Sequence, residues 1–85
     1  MQIQFHRSFK KQLEQLPPQV QRQFSDRLNQ FIIAPNHPWL HNHPLRGEYK
    51  KYWSINVTGN VRALYTKEDG IIVFRAIGTH SELYS

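Results

Sequence analysis

The sequence contains no cysteine, and this absence sets the first limits on what the chain can be. Without thiols it can form neither a disulfide framework nor a cysteine-based zinc site. A small fold without disulfides suits a reducing compartment, so we expect a cytoplasmic protein. Long apolar runs are also missing, since no stretch approaches the ~20 apolar residues that cross a bilayer. Residues 1–5 alternate in polarity, unlike a secretory signal, so we expect no membrane association.

Acidic residues are scarce in this chain. Six Asp and Glu oppose eleven Lys and Arg, which gives a formal net charge of +5 and an isoelectric point near 9.9. With 5 Phe, 2 Trp and 4 Tyr, this charge favours a polyanionic partner such as nucleic acid, although an acidic protein would satisfy it equally. A chain of 85 residues has the length of one domain with a modest core, so we expect residues 1–85 to form a single domain.

The first half of the chain carries the patterns of one strand and two helices. Residues 3–5 alternate between apolar and polar side chains, as in a short strand. Apolar residues then recur at helical spacing from Ser8, a candidate N-cap, to Leu16. The Pro17-Pro18 pair ends this helix, and its second proline can open another helix whose apolar stripe runs to Ile32. We expect two short antiparallel helices joined by a tight turn.

The second half predicts a loop followed by three strands. Prolines disfavour regular structure over residues 34–47, which we interpret as a loop. Alternating segments then predict strands at residues 49–57, 61–66 and 71–77, and the last is apolar on both faces, as a central strand would be. The predicted fold class is therefore α+β. It comprises a short N-terminal strand, two antiparallel helices and a three-stranded antiparallel meander, with the helices packed on one sheet face.

The other face of the predicted meander carries the first candidate site residue. If Trp53, Ile55 and Val57 pack beneath the helices, the alternation turns Ser54 away from the core. Arg62, on the return strand, can share this open face. An arginine there could clamp a phosphate, because its planar guanidinium matches phosphate geometry. The alternative interpretation is a surface arginine paired with a carboxylate.

Two of the five histidines are candidate catalytic groups. His43 precedes a rigid proline-containing segment that could place it over the sheet edge, and His80 follows the last strand. Histidine exchanges protons near neutral pH, and RNA carries its own nucleophile in the 2′-hydroxyl. Two histidines near a phosphate-binding arginine therefore suit acid–base cleavage of RNA. His37 and His41 lie in a proline-broken loop where helical zinc-site spacing cannot form, so we expect no metal and no cofactor.

Several segments together resemble a known family. They are FKK at 9–11, HPLRG at 43–47, YWSI at 52–55, GNVRALY at 59–65 and IGTHSELY at 77–84. In this order, and over nearly the whole chain, they resemble the RelE/ParE superfamily of bacterial toxins. The likeness is closest on the RelE side, to the YafQ-like mRNA interferases. This resemblance implies a RelE-like fold and the toxin half of a type II toxin–antitoxin pair.

The resemblance also implies an activity and a set of site residues. Such toxins enter the ribosomal A site and cut mRNA there without a metal, through attack of the 2′-hydroxyl on the adjacent phosphate. His43 and His80 match two histidines of YafQ-like toxins, and Arg62 matches a strand arginine that contacts the scissile phosphate. Tyr84 matches a terminal aromatic residue. The implied partners are a cognate acidic antitoxin, the ribosome and mRNA.

Further residues are expected to bind RNA or the ribosome by charge or position. They are Arg7, Lys10, Lys11, Arg46, Lys50, Lys51, Asn56 and Arg75. The chain departs from the YafQ pattern at three positions, with Asn56 in place of a histidine, Asn60 in place of an acidic residue and Ala76 in place of an arginine. We expect Gly78 to turn the chain so that the tail faces the open sheet. The alternative functions are a ParE-like gyrase inhibitor and an inactive RNA-binding module.

Overall fold

A five-stranded mixed sheet organises the protein, and the computed structural model describes residues 1–84 of it. The strands are β1 (Gln2–Phe5), β2 (His43–Pro44), β3 (Trp53–Asn56), β4 (Val61–Glu68) and β5 (Ile71–Thr79), and the α-helices are α1 (Arg7–Glu14), α2 (Pro18–Ile33) and α3 (His80–Tyr84). The spatial order is β1-β5-β4-β3-β2, with β1 parallel to β5 and the other pairs antiparallel. The predicted α+β class is confirmed, and β5 lies inside the sheet as predicted. Within the described residues, no helix is both long and apolar enough to span a bilayer.

The core lies between the sheet and the helices α1 and α2, and it is built largely from phenylalanine. Phe74 on β5 is fully buried at its centre. Its ring lies 5.6–5.8 Å from the rings of four other phenylalanines, which are Phe5, Phe9, Phe24 and Phe31. Such stacked, tilted and edge-on aromatic pairs add to the stabilisation from burial alone. This packing fixes which sheet face is covered.

Helix α1 begins earlier than predicted and completes one edge of the sheet. His6 is the N-cap, because its Nδ1 accepts the Ser8 backbone N–H at 3.1 Å. Ser8 was expected to be the cap, but its hydroxyl instead donates to the Arg75 carbonyl at 3.1 Å. One turn later, the Gln12 side chain accepts the Ile77 backbone N–H at 2.9 Å. These bonds satisfy the β5 edge where the short strand β1 has ended.

The segment predicted as a loop contains regular structure. Two short 3₁₀ turns lie at Pro38–Leu40 and Gly47–Tyr49, and β2 lies between them. Strand β2 pairs with β3 at the sheet edge, where a strand tolerates a proline that lacks an N–H. Strand β3 begins at Trp53 and not at Tyr49, because the second 3₁₀ turn occupies the predicted start of the strand.

Strands β4 and β5 form the longest hairpin. Its turn uses Asp69 at φ 51° and Gly70 at φ 81°, the two positive values that a tight Asp-Gly turn requires. A bulge between Leu64 and Tyr65 shifts the register, so that two β5 residues separate the core-facing Phe74 and Ile77. The preceding hairpin differs from our expectation. Gly59 does not have a positive φ, and Thr58 Oγ1 closes that turn by accepting two backbone N–H groups.

Candidate active site

Four of the predicted site residues line one cavity on the sheet face opposite the core. The cavity has a volume of about 250 Å³ and is lined by His43, Leu45, Ser54, Arg62, His80 and Tyr84. Strand pairing explains how they meet, because His43 lies opposite Ser54, and Arg62 lies opposite Gly78 just before α3. Residues that are far apart in sequence therefore converge at the β2–β3–β4–β5 surface. A cavity with two imidazoles, a guanidinium and a phenol can bind a phosphodiester and exchange protons with it.

Arg62 is held by the turn that precedes its strand. Its Nη1 donates to the Thr58 carbonyl at 2.9 Å and to the Gly59 carbonyl at 3.2 Å. Among residues 1–84 no carboxylate lies within salt-bridge distance of it, so the alternative of a carboxylate-paired arginine finds no support there. The backbone orients one nitrogen of the guanidinium, and its other donors keep the fork geometry that matches phosphate oxygens.

His43 has a defined tautomer. Its Nδ1 lies 2.7 Å from the His41 carbonyl, which can only accept a hydrogen bond, so Nδ1 carries the proton. In the neutral ring the lone pair is then on Nε2, the atom that a general base needs. The preceding loop is anchored to the core, because the Tyr65 hydroxyl donates to Asn42 Oδ1 at 2.7 Å and Asn42 donates to the Pro35 carbonyl. This anchoring fixes the position of His43 at the sheet edge.

His80 and Tyr84 lie on helix α3, which the sequence did not predict. They are four residues apart and therefore share one helix face, with ring centroids 4.7 Å apart. Tyr49 packs edge-on against Tyr84 at 5.1 Å. Burial raises the pKa of the Tyr84 phenol above its usual value of 10.0, although the neighbouring Arg62 and Ser54 oppose the rise. Tyr84 is therefore a neutral phenol at physiological pH.

The start of α3 corrects our expectation for Gly78. This glycine does not turn the chain; it is the penultimate residue of β5, and its φ is not positive. The chain turns one residue later, where Thr79 and Glu82 form a capping box. The Thr79 backbone N–H donates to Glu82 Oε1 at 2.7 Å, and the Glu82 backbone N–H donates to Thr79 Oγ1 at 3.3 Å. The Thr-His-Ser-Glu spacing of this motif was a sequence signal for a helix start.

Ser54 is a cavity residue that the list of predicted site residues omitted. It is 2% exposed and lies on the cavity floor, beside the phenol of Tyr84. Strand alternation placed it on the correct face, but a serine in a strand carries no chemical signature in sequence. Leu45 also lines the cavity and was omitted, because a leucine in a loop carries no chemical signature either. Asn56 and Arg75, two of the predicted RNA-binding residues, do not line this cavity.

Asn56 and Arg75 lie elsewhere on the open face. Asn56 is opposite Arg62 in the β3–β4 pairing, and its Oδ1 is buried without a hydrogen-bond partner among the described residues. Arg75 donates through Nε to Thr66 Oγ1 at 2.9 Å and forms an ion pair with Glu68. This pairing lowers the pKa of Glu68, chiefly through the hydrogen bond from Arg75. Part of the charge of Arg75 is therefore already balanced by Glu68.

The predicted RNA-binding cations fall into two groups. Lys51 and Arg75 line a second cavity of about 390 Å³ on the open face, and Arg7 joins Arg75 in a third of about 600 Å³. The remaining cations are exposed and line none of these cavities; they are Lys10 and Lys11 on α1, and Arg46 and Lys50 before β3. In residues 1–84 no three His, Asp or Glu side chains group as metal ligands would.

The architecture is that of RelE-superfamily toxins. YafQ from E. coli strain BL21(DE3) matches with a TM-score of 0.74 at 21% identity, over 98% of this chain and 97% of that one. The E. coli DinJ–YafQ complex gives 0.72 at 21% identity, over 98% and 97%. The RelB–RelE antitoxin–toxin complex from Methanococcus jannaschii gives 0.75 at 20% identity, over 95% and 94%.

The sequence itself identifies the family. Residues 1–85 match the family described as "Bacterial toxin of type II toxin-antitoxin system, YafQ". The chain therefore belongs to the YafQ family of bacterial toxins, and the resemblance found in the sequence is confirmed. A comparison with curated proteins gave no significant match.

Proposed function

We propose that this toxin is an endoribonuclease that cleaves mRNA in the ribosomal A site. The observation that carries the proposal is the single cavity in which His43, Arg62, His80 and Tyr84 converge. Its groups suit transfer of the phosphoryl group between two nucleotides, from the 5′-oxygen of one to the 2′-oxygen of its neighbour. This reaction needs proton transfer and charge stabilisation, and the protein need not supply a nucleophile.

In the first half of the reaction His43 acts as the general base. Its Nε2 lone pair accepts the proton of the 2′-hydroxyl, because Nδ1 already donates to the His41 carbonyl. The 2′-oxygen then forms a bond to phosphorus, and negative charge accumulates on the non-bridging phosphate oxygens. Arg62 stabilises this charge through guanidinium donors fixed by the Thr58 and Gly59 carbonyls.

In the second half His80 acts as the general acid. The bond between phosphorus and the 5′-oxygen breaks, and protonated His80 gives its proton to that leaving oxygen. The products are a 2′,3′-cyclic phosphate and a free 5′-hydroxyl, so atoms and charge balance without a further reactant. Tyr84, held edge-on by Tyr49, offers a ring on which a base of the A-site codon stacks.

The partners follow from charge and from the relatives. The net charge of +5 suits ribosomal RNA, with Lys10, Lys11, Lys50 and Lys51 as exposed phosphate contacts. The same charge suits a cognate acidic antitoxin, and the toxins in the DinJ–YafQ and RelB–RelE structures are bound to antitoxins. A cytoplasmic location follows from these partners.

The test is primer extension on ribosome-bound mRNA with purified toxin. Wild-type protein is expected to give discrete in-frame cuts, and His80→Ala is expected to lose about 10²–10⁴-fold in rate, the usual contribution of a general acid. His37→Asn is the matched control, because asparagine keeps the capping role of His37 at a site outside the cavity. If no cuts appear, and if overexpression of the toxin in cells leaves translation running but induces DNA damage, gyrase inhibition is favoured instead. Absence of both effects would favour an inactive RNA-binding module.

A further inference from the structure

We propose that Glu82 is a positioning residue that holds His80 and Tyr84 in the cavity through its bonds to Thr79. The three residues Gly78, Thr79 and Glu82 form what we term the α3 clasp. The inference rests on the proposed function, because it assigns a structural cause to the placement of two of the proposed catalytic groups. Glu82 itself does not line the cavity.

Helix α3 needs such a device because of its length. It spans five residues, His80–Tyr84, and a helix this short is unstable unless other contacts support it. The helix nevertheless supplies one imidazole and one phenol to the cavity, a full turn apart. An unravelled α3 would leave His80 without a defined position and would leave Tyr84 to its contacts with Tyr49 and Ser54. The aromatic core lies on the opposite sheet face and cannot fix them directly.

The bonds of the clasp are reciprocal. Glu82 Oε1 accepts the Thr79 N–H at 2.7 Å, and Thr79 Oγ1 accepts the Glu82 N–H at 3.3 Å. Each bond satisfies a backbone donor that a helix start leaves without an intrahelical partner. The Glu82 carboxylate therefore accepts a hydrogen bond even though the residue is exposed. The bonds from Thr79 lower the pKa of this carboxylate.

Gly78 makes room for the clasp. A Cβ atom at this position would lie 3.1 Å from Glu82 Oε1 and 3.3 Å from Glu82 Cβ. Since Gly78 has an ordinary φ, backbone conformation does not require glycine here. The close approach of the Glu82 side chain favours glycine instead, because a Cβ atom would force that side chain to shift by a few tenths of an ångström. Gly78 also lies opposite Arg62, so the clasp rests on the strand pair that carries the proposed phosphate-binding arginine.

The experiment compares Glu82→Ala with Glu82→Gln in the full-length toxin on ribosome-bound mRNA. The alanine variant is expected to lower kcat about fivefold with KM unchanged, the population change that follows loss of one helix cap. Glutamine also serves in capping boxes, so Glu82→Gln is expected to restore kcat to within about twofold. Glu14→Ala is the matched control, because this exposed carboxylate makes no hydrogen bond within residues 1–84.

A second readout does not depend on nuclease activity. In the free toxin, hydrogen exchange of the Thr79 amide should accelerate in Glu82→Ala and not in Glu82→Gln, and the His80 ring resonances should shift only in the alanine variant. Gly78→Ala should lower kcat and accelerate Thr79 amide exchange, as Glu82→Ala does. This effect of Gly78→Ala should be smaller in the Glu82→Ala background, where the 3.1 Å contact with Glu82 Oε1 is absent. The urea midpoint of the whole chain should stay constant.

The proposal is overturned if alanine and glutamine at position 82 lower kcat equally. It is also overturned if neither substitution changes the Thr79 amide exchange rate or the His80 ring resonances. Strict additivity of Gly78→Ala and Glu82→Ala would also contradict it. If the wild-type toxin proves to have no nuclease activity, the proposed function fails, and the exchange and resonance data still decide whether the clasp orders α3.

Discussion

The interaction of Arg62 with its own turn makes a sharp prediction about Arg62→Lys. The guanidinium donates to three carbonyls through Nη1, at 2.9 Å to Thr58, 3.2 Å to Gly59 and 3.3 Å to Val61, and this leaves its other donors in a fixed fork. A lysine keeps the charge but has a single nitrogen, which cannot satisfy the turn and bind a phosphate with two parallel bonds. The substitution therefore tests geometry separately from charge.

The loss in kcat expected for Arg62→Lys can be bounded. Removing one preorganised donor from a site where charge develops costs about 10²–10³ in kcat, or about 2.7–4 kcal/mol. We expect Arg62→Lys to fall near the lower end, since it removes the fork and keeps the charge, and Arg62→Ala to fall near the upper end. Because the donors act mainly in the transition state, KM should change much less than kcat.

The assay is single-turnover cleavage of ribosome-bound mRNA, with kcat and KM resolved. Arg22→Lys is the matched control, because Arg22 is exposed on α2 and lies outside the cavity. Circular dichroism should show that the variants keep the fold. A kcat for Arg62→Lys within twofold of wild type would show that charge alone suffices and that the fork geometry of Arg62 is not needed.

Three further predictions follow from the packing and the pKa shifts. Tyr84→Phe should keep most activity, and Tyr84→Ala should lose about 5–150-fold, the worth of about 1–3 kcal/mol of base stacking, measured in the same cleavage assay. Phe74→Ala should destabilise the fold by about 3–5 kcal/mol in urea denaturation, since the ring is fully buried among four other phenylalanine rings and that of Tyr65. The pKa of Glu82 is lowered from its usual 4.5 by its bonds to Thr79, so α3 should be stabilised fully above that value. This stabilisation should be lost as pH falls through the lowered pKa, and Thr79 amide exchange should report the loss.

Patterns local in sequence predicted the layers of the fold. Alternation in β3 placed Ile55 in the core and Ser54 on the open face, because side chains along a strand point to opposite faces. Helical spacing placed Phe9 and Phe24 toward the sheet for the same geometric reason. These features need no knowledge of distant contacts, which is why a single sequence suffices for them.

Features that depend on distant partners were not predictable in this way. Strand β2 exists because His43 and Pro44 meet β3, and no local pattern marks two residues as a strand. Gly78 was interpreted as a turn, although its lack of a side chain serves the approach of Glu82. The four site residues were named from resemblance and from residue type. The cavity brings them together, and their catalytic roles stay predictions.

The most direct test of the central claim uses an mRNA with a single 2′-deoxynucleotide at the scissile position of the A-site codon. We expect wild-type toxin to cut the all-ribose message to a 2′,3′-cyclic phosphate and a 5′-hydroxyl, and the deoxy-substituted message to stay intact at that position. Cleavage of the deoxy message at an equal rate would rule out attack by the 2′-hydroxyl, because the nucleophile would then have to come from elsewhere.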